Sequence, residues 1–332
     1  MKTAYVVEEG AIVRRAGERF EVLKRGEDKA VLPTYDLEQL VLMGNVTLTP
    51  AAIDLAVERG IDVVMLSWRG RFRARIGGGL SSHVKLRVAQ VNAFASEYGQ
   101  CATAKQIVRG KVDNQRTLLL RHARRYEDGA KLANAIVAMR ATGRRLEDAS
   151  TMDQIRGCEG AAASAYFGVF GSLLRASGMV FARRSRRPPL DPVNAMLSFG
   201  YTLVLAQVVS AINIVGLDPY LGALHEPLPG RPSLACDILE ELRAAFVDPL
   251  VVAIVNKGAL GPEDFEGGGP DEGVSMKREA RRWFLELFER RLARSTPYKG
   301  KSQPWRTVIL EQARAMARHV LGVEVYEPYR VR

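Results

Sequence analysis

An α+β protein, with a small β-rich N-terminal domain followed by a larger all-helical C-terminal domain, is the architecture this sequence predicts. Three observations carry that reading. Short β-prone runs separated by Gly and charged residues fill the first 80 positions. Apolar residues recur at three- and four-residue intervals from about Ser81 onward. Between the two patterns lies Gly77-Gly78-Gly79, a flexible joint that sets the boundary at 1–80 and 81–332. A chain of 332 residues at about 100–200 per domain suits two domains.

Taken in order, Ala4–Val7, Ala11–Val13, Phe20–Leu23 and Ala30–Leu32 are expected strands. Leu37–Leu42 mixes apolar and acidic positions, and Asn45–Leu48 resumes β character. Thr49 followed by Pro50 is a helix start, cap then first helical position, and Gly60 stops that helix. Ile61–Leu66 is then a buried strand. In the second domain residues 81–139 read as helical, followed by Glu159–Ser177, Asn194–Ile214, Ser233–Phe246, Lys277–Arg294 and Trp305–Leu321. Joints rich in Pro and Gly separate them, among them Arg186–Pro189, Gly216–Pro219, Pro227–Pro232 and Gly267–Pro270. No repeat of 20–50 residues is present.

Composition excludes several classes. Hydrophobic content of 47% with 26% charged residues excludes wholesale disorder. The longest apolar run, Tyr201–Val215, is interrupted by Gln207, Ser210 and Asn213, so no membrane span is expected. Lys2 is followed too soon by Glu8 and Glu9 for a signal peptide, and Cys101, Cys158 and Cys236 are too scattered for a disulfide scaffold. A soluble cytoplasmic protein is predicted. Its net charge is +11, and residues 1–80 hold 12 basic against 11 acidic side chains, so the second domain carries nearly all the excess. A basic domain attracts polyanions, nucleic acid first among them.

Two familiar motifs fail on spacing. Gly300-Lys301-Ser302 ends like a phosphate-binding loop, but Ser295 stands where the leading Gly belongs. His225-Glu226 opens like a zinc-protease helix, but Pro227 and Pro229 forbid the helix.

The chemistry-bearing candidates are Glu159, His225, Asp237 and Glu240. Glu159 sits in a Gly- and Ala-rich helical run that permits close approach of another helix; the alternative is an acid placed near a helix N-terminus by the dipole. Ser233 is a good N-cap for the following helix, on which Asp237 and Glu240, three apart, share one face. Two carboxylates on one face repel unless a cation lies between them. Either a divalent ion or Arg243 would serve. Two carboxylates and an imidazole suit Mg²⁺ or Mn²⁺ with positions left for phosphate oxygens, hence phosphodiester chemistry on nucleic acid.

The ordered motifs Leu37–Thr49, Glu58–Val63, Cys158–Ala162 with Tyr166-Phe167, Arg186–Pro189, Asp191–Ala195, Leu197–Tyr201, Gly216–Tyr220 and Gly230–Glu240 span nearly the whole chain. Their order resembles the CRISPR-associated spacer integrase family, the metal-dependent DNA endonuclease of CRISPR adaptation. The resemblance implies a β-rich N-terminal domain that dimerises and a helical domain with one metal site, at Glu159, His225 and Glu240. Asp237 matches a further acidic position, so the third ligand lies between Glu240 and Asp237, and Cys236 is a small core residue or a soft ligand. It further implies a homodimer, bridged by a second, smaller adaptation subunit, that joins 3′-hydroxyl ends of short double-stranded DNA into the CRISPR repeat by transesterification. Arg183, Arg184, Arg186 and Arg187, with Arg231 and Arg243 beside the metal motif, are the expected phosphate contacts. Two rival readings are a structural nucleic-acid-binding protein and a non-specific nuclease.

Overall fold

The structure, a computed structural model, describes residues 2–24, 29–68, 70, 72–77, 83–126, 129–176, 178–268 and 273–331. Gly78 and Gly79 of the expected joint and Ser81, where the helical pattern is expected to begin, lie outside the described residues, as do Gly269 and Pro270 of a later joint. The chain divides into two compact units, Met1–Leu80 and Ser81–Arg332.

The N-terminal unit runs β1 (Lys2–Val6), β2 (Ile12–Ala16), β3 (Arg19–Leu23), β4 (Ala30–Pro33), β5 (Leu37–Met43), β6 (Thr47–Leu48), α1 (Pro50–Glu58), β7 (Asp62–Leu66) and β8 (Phe72–Ile76). One sheet has the order β1-β5-β7-β8, with β1, β5 and β7 parallel and β8 antiparallel; the other has the order β4-β3-β2-β6. Thr49 caps α1, and Pro50 stands in its first turn. β5 is a central strand buried from Gln39 through Met43, which explains the apolar run Leu40–Met43 within it. Its one buried amide is not left bare: Gln39 Nε2 donates to Asp62 Oδ2 at 3.3 Å, and Asp62 also pairs with Arg75 of β8. β8 escapes the sequence reading because its alternate positions are arginines on an exposed edge. Phe20, Leu40, Leu55 and Val63 are fully buried in the core of this unit.

The C-terminal unit contains α2 (Val84–Ala95), α3 (Glu97–Tyr126), α4 (Gly129–Asp148), α5 (Met152–Phe170), α6 (Pro192–Val215), α7 (Ser233–Leu242) and α8 (Asp248–Asn256). Beyond them come β9 (Phe265–Gly267), β10 (Val274–Met276), α9 (Arg278–Ala293), β11 (Ser295–Tyr298), β12 (Lys301–Pro304) and α10 (Trp305–Val320). Two small antiparallel hairpins, β9–β10 and β11–β12, therefore interrupt what periodicity predicts to be all helix. Strands of three or four residues are too short to show a period. Gly300-Lys301-Ser302 falls at the return of the second hairpin, with Lys299 at φ 45° and Gly300 at φ 80°, so no strand-to-helix phosphate loop exists there.

Helix α7 does not end at Phe246. A π-helical turn, Arg243–Val247, carries it into α8. The wide turn precedes Pro249, whose missing N–H and bulky ring would break a regular ladder. The N-cap of α7 is Pro232; Ser233 is its first helical residue and donates its hydroxyl to the Glu226 carbonyl at 2.9 Å. Helix α6 is the spine. Asp191 caps it, Gly216 ends it at φ 96°, and α7 and α10 both pack on it. At 24 residues it is long and apolar enough to cross a membrane, yet Asn194, Gln207 and Ser210 are buried along with its apolar positions. That marks a core helix.

Candidate metal centre

Helix α5 opens with a capping box, Thr151 and Gln154 satisfying each other's backbone N–H groups. Glu159 is thus two turns into α5, beyond the reach of an N-terminal dipole. Nor do its glycines serve close packing: a Cβ on Gly157 or Gly160 would meet open space. They leave room around Glu159 instead.

Facing Glu159 is a residue that sequence reasoning missed. Lys111 of α3 lies on the stripe of Ile107, Val108 and Val112, all buried, and is itself only 3% exposed. Its ammonium pairs with Glu159 Oε1 and lies 2.7 Å from Glu240 Oε2. A lysine on a buried apolar stripe requires acidic partners, and that signal was available in the sequence. Arg243 approaches Glu240 from the other side, Nη2 to Oε1 at 3.0 Å. Burial pushes the Glu240 carboxyl up, but Arg243 and Lys111 prevail and hold it down to about 2.

His225 and Asp237 form the second half of the site. Asp237 is fully buried and takes four donors: Ala223 and Leu224 N–H on Oδ2 at 2.7 and 3.0 Å, His225 N–H on Oδ1 at 3.0 Å, and His225 Nδ1 on Oδ1 at 2.6 Å. A carboxylate accepts, so Nδ1 carries the ring proton toward Asp237, and in the neutral ring Nε2 is then the nitrogen with the lone pair. That nitrogen lies 3.9 Å from Glu240 Oε1. Gly222 makes the loop's approach feasible, since a Cβ there would stand 2.6 Å from Asp237 Oδ2 and 2.8 Å from Leu234 N. Asp237 and Glu240 thus meet the same imidazole, one at each nitrogen.

A third layer stands behind Arg243. Its guanidinium lies 4.7 Å from the Tyr201 ring centre, and that of Arg184 lies 5.4 Å from it. Tyr201 and Tyr166 donate their hydroxyls to the two oxygens of buried Asp248, at 2.6 and 2.7 Å. Burial raises the Asp248 pKa and drives both phenols well above their usual value. Arg184 is committed to the fold, donating to Asn194 Oδ1 at 2.7 Å and Ser198 Oγ at 3.0 Å, while Arg183, Arg186 and Arg187 are exposed. Arg231 donates to the Glu226 carbonyl, and the Cys236 thiol is pushed up to about 11 by burial. At neutral pH it is a protonated thiol, a poor ligand.

Among the described residues no three His, Cys, Asp or Glu side chains stand together closely enough to hold a metal ion as arranged, and the Lys111 ammonium pairs with both glutamates. The donor chemistry nevertheless fits a divalent cation. Glu240 Oε2 is buried against the Lys111 ammonium, His225 turns Nε2 toward Glu240 while Nδ1 is engaged by Asp237, and the space between Glu159 and Glu240 already holds positive charge.

Against known proteins, residues 4–290 match the family model described as CRISPR associated protein Cas1. The chain is 38% identical to a CRISPR-associated endonuclease Cas1 of Rhodospirillum rubrum, covering 99% of this chain and 98% of the relative. Among solved structures, a casposase bound to its integration product matches with TM-score 0.87 at 24% identity, over 99% of this chain and 93% of that one. A chain of a Cas6-RT-Cas1–Cas2 complex matches with TM-score 0.87 at 23% identity, over 99% of this chain and 36% of that longer one.

Proposed function

The chain belongs to the CRISPR-associated Cas1 family, and from that premise we propose that it is the DNA endonuclease and integrase of CRISPR adaptation, joining 3′-hydroxyl ends of short duplexes into the repeat array. The observation that carries the reading is the imidazole of His225, its Nδ1 fixed by Asp237 and its Nε2 turned toward Glu240. Glu159, His225 and Glu240 would hold Mg²⁺ or Mn²⁺, and such an ion polarises a phosphodiester and offsets charge on the attacking and leaving oxygens.

The chain's own residues do the rest. Asp237 is a positioning residue: with all its lone pairs engaged by the loop, it sets the tautomer of His225 and leaves ligation to Glu240. Arg243 keeps Glu240 ionised and fixed, and the Tyr201–Asp248 pair holds Arg243. Joining then proceeds as an in-line displacement with no covalent protein intermediate.

Exposed Arg183, Arg186 and Arg187 hold DNA phosphates without reading sequence, and Arg184 fixes the loop that presents them. The N-terminal unit supplies the homodimer contact. Val31 and Phe72, apolar and exposed on the edge strands β4 and β8, support that role. A second, smaller subunit completes the assembly, as the neighbour in a Cas1–Cas2 complex suggests. The protein works in the cytoplasm, and the burial of α6 supports a helix that packs in the core rather than crossing a membrane.

The test combines the protein, a labelled duplex with free 3′-hydroxyls, a supercoiled plasmid bearing a CRISPR repeat, Mn²⁺ and the smaller subunit. Label transferred to the plasmid by wild type and lost in His225→Ala and Glu240→Ala is the expected result. Shortened ends without a joined branch would indicate a hydrolytic nuclease. Binding without any strand chemistry would indicate a structural DNA-binding protein.

A further inference from the structure

Two carboxylates and two side-chain cations balance at the site. Glu159 and Glu240 contribute the negative charges, and Lys111 and Arg243 contribute the positive ones. The third acid, Asp237, is taken up by the His225 loop. A neutral pocket has little attraction for a divalent ion. Arg243 contacts Glu240 alone of the two glutamates, and its position against Tyr201 keeps it to one side. Lys111 is different: its Nζ bridges both glutamates, from a helix that carries neither.

We propose that Lys111 is a resident counter-cation: its ammonium holds Glu159 and Glu240 together in the metal-free chain and must be displaced when a divalent ion enters. The inference rests on Glu159, Glu240 and His225 being the metal site. It assigns Lys111 two roles. One is to keep the carboxylates from repelling each other before loading. The other is to set how tightly the site takes its ion, because metal and ammonium compete for the same oxygens. A unit positive charge a few ångströms from a divalent ion alters its binding by about tenfold or more, even under water-like screening.

The experiment uses full-length wild type, Lys111→Met, Lys111→Gln and His225→Ala, read by thermal unfolding in chelator and by calorimetric Mn²⁺ titration. Lys111→Met should melt lower than wild type in chelator, bind Mn²⁺ at least about tenfold more tightly, and show the larger Mn²⁺-induced rise in melting temperature. A purely structural lysine would lower the melting temperature in chelator and at saturating Mn²⁺ alike, which would overturn the proposal. So would Mn²⁺ affinity in Lys111→Met equal to or weaker than wild type. If Lys111→Met does not fold without metal, Lys111→Gln is carried through the same titration. Should both need refolding, recovery in Mn²⁺ supports the proposal and failure to recover overturns it. Loss of the wild-type Mn²⁺ response in His225→Ala shows that the site itself is correctly placed. Should that response survive in His225→Ala, the site assignment fails, and the role of Lys111 falls with it.

Discussion

Asp237→Asn is the most informative single substitution. The carboxylate accepts two donors on each oxygen: backbone N–H groups of Ala223 and Leu224 on Oδ2, and the N–H and Nδ1 of His225 on Oδ1. An amide has one oxygen and one NH₂, so with the NH₂ turned toward Ala223 and Leu224 two buried N–H groups face a donor. At about 1–3 kcal/mol for each unsatisfied group, the loss is roughly 2–6 kcal/mol of folding stability. If the NH₂ faces His225, Nδ1 must accept, the ring proton moves to Nε2, and the nitrogen meant for the metal is blocked. Removing such an orienting partner costs about 10–100-fold in metal affinity. Urea unfolding reads the first quantity and Mn²⁺ titration the second. The decisive comparison is the double variant His225→Ala/Asp237→Asn. If Asp237 acts only through the imidazole, the double variant binds Mn²⁺ no more weakly than His225→Ala alone. A further loss in the double variant would make Asp237 a ligand in its own right, and Mn²⁺ affinity unchanged in Asp237→Asn would refute the positioning role altogether.

Three further outcomes follow from the same geometry. Burial pushes the Glu241 carboxyl up from 4.5 to about 8, against the hydrogen bonds that Gln312, Tyr326 and Tyr329 donate to it. A raised carboxyl pKa contributes stability that is complete below 4.5 and lost as pH climbs to about 8. Wild type should therefore lose stability relative to Glu241→Gln by about 1.4 kcal/mol per pH unit across that window, and parallel urea curves from pH 5 to 8 would contradict it. Neutralising Arg183, Arg186 and Arg187 together should weaken DNA binding and flatten its salt dependence, by roughly 0.9 in logarithmic slope for each phosphate no longer neutralised. Arg184→Gln should instead lower thermal stability, since its guanidinium ties the loop to Asn194 and Ser198. Gly110→Ala would bring a methyl to 2.5 Å from Pro328 Cβ, so the C-terminal segment should lift from α3 and become sensitive to protease.

Local chemistry made much of the fold legible. Thr49-Pro50 and Gly60 bracket α1, and Asp191-Pro192 and Gly216 bracket α6, because caps and breakers act within a turn. The misses have physical causes too. Two hairpins were too short to show a period. The π turn at Arg243–Val247 carried a helix past a proline that ordinarily ends one. At the candidate site, spacing placed Asp237 and Glu240 on one helix face, and both do approach His225. Spacing could not show that Asp237 is used up by the loop at Gly222, since that depends on how a turn folds back onto α7. Lys111 lies on a helix far removed in sequence from both glutamates it bridges; its apolar stripe signals a need for acidic partners, but which acids they are emerges only from packing.

Helix α7 shows why those pairings matter. Three of its ten residues are acids in the span 237–241, and each is committed to a different neighbour. Asp237 grips the His225 loop, Glu240 faces Lys111 and Arg243, and Glu241 takes the hydroxyl of Tyr326 and the N–H of Tyr329 from the C-terminal segment. Adjacent carboxyls of one chemical type are driven in opposite directions, Glu240 down to about 2 and Glu241 up to about 8, because Lys111 and Arg243 outweigh burial at one, while at the other burial outweighs what are mainly neutral donors. The helix is therefore pinned on both sides. Asn114 of α3 strengthens the rear contact, donating to the Glu241 and Tyr329 carbonyls at 2.8 Å each and accepting from Val331 N–H. A slip of α7 by one residue that moved Glu240 among the neutral donors would bring Leu239 to the cations, leaving a buried charge unpaired at a cost of about 3–5 kcal/mol. The C-terminal segment thus fixes the register of α7, and with it the direction in which Glu240 faces.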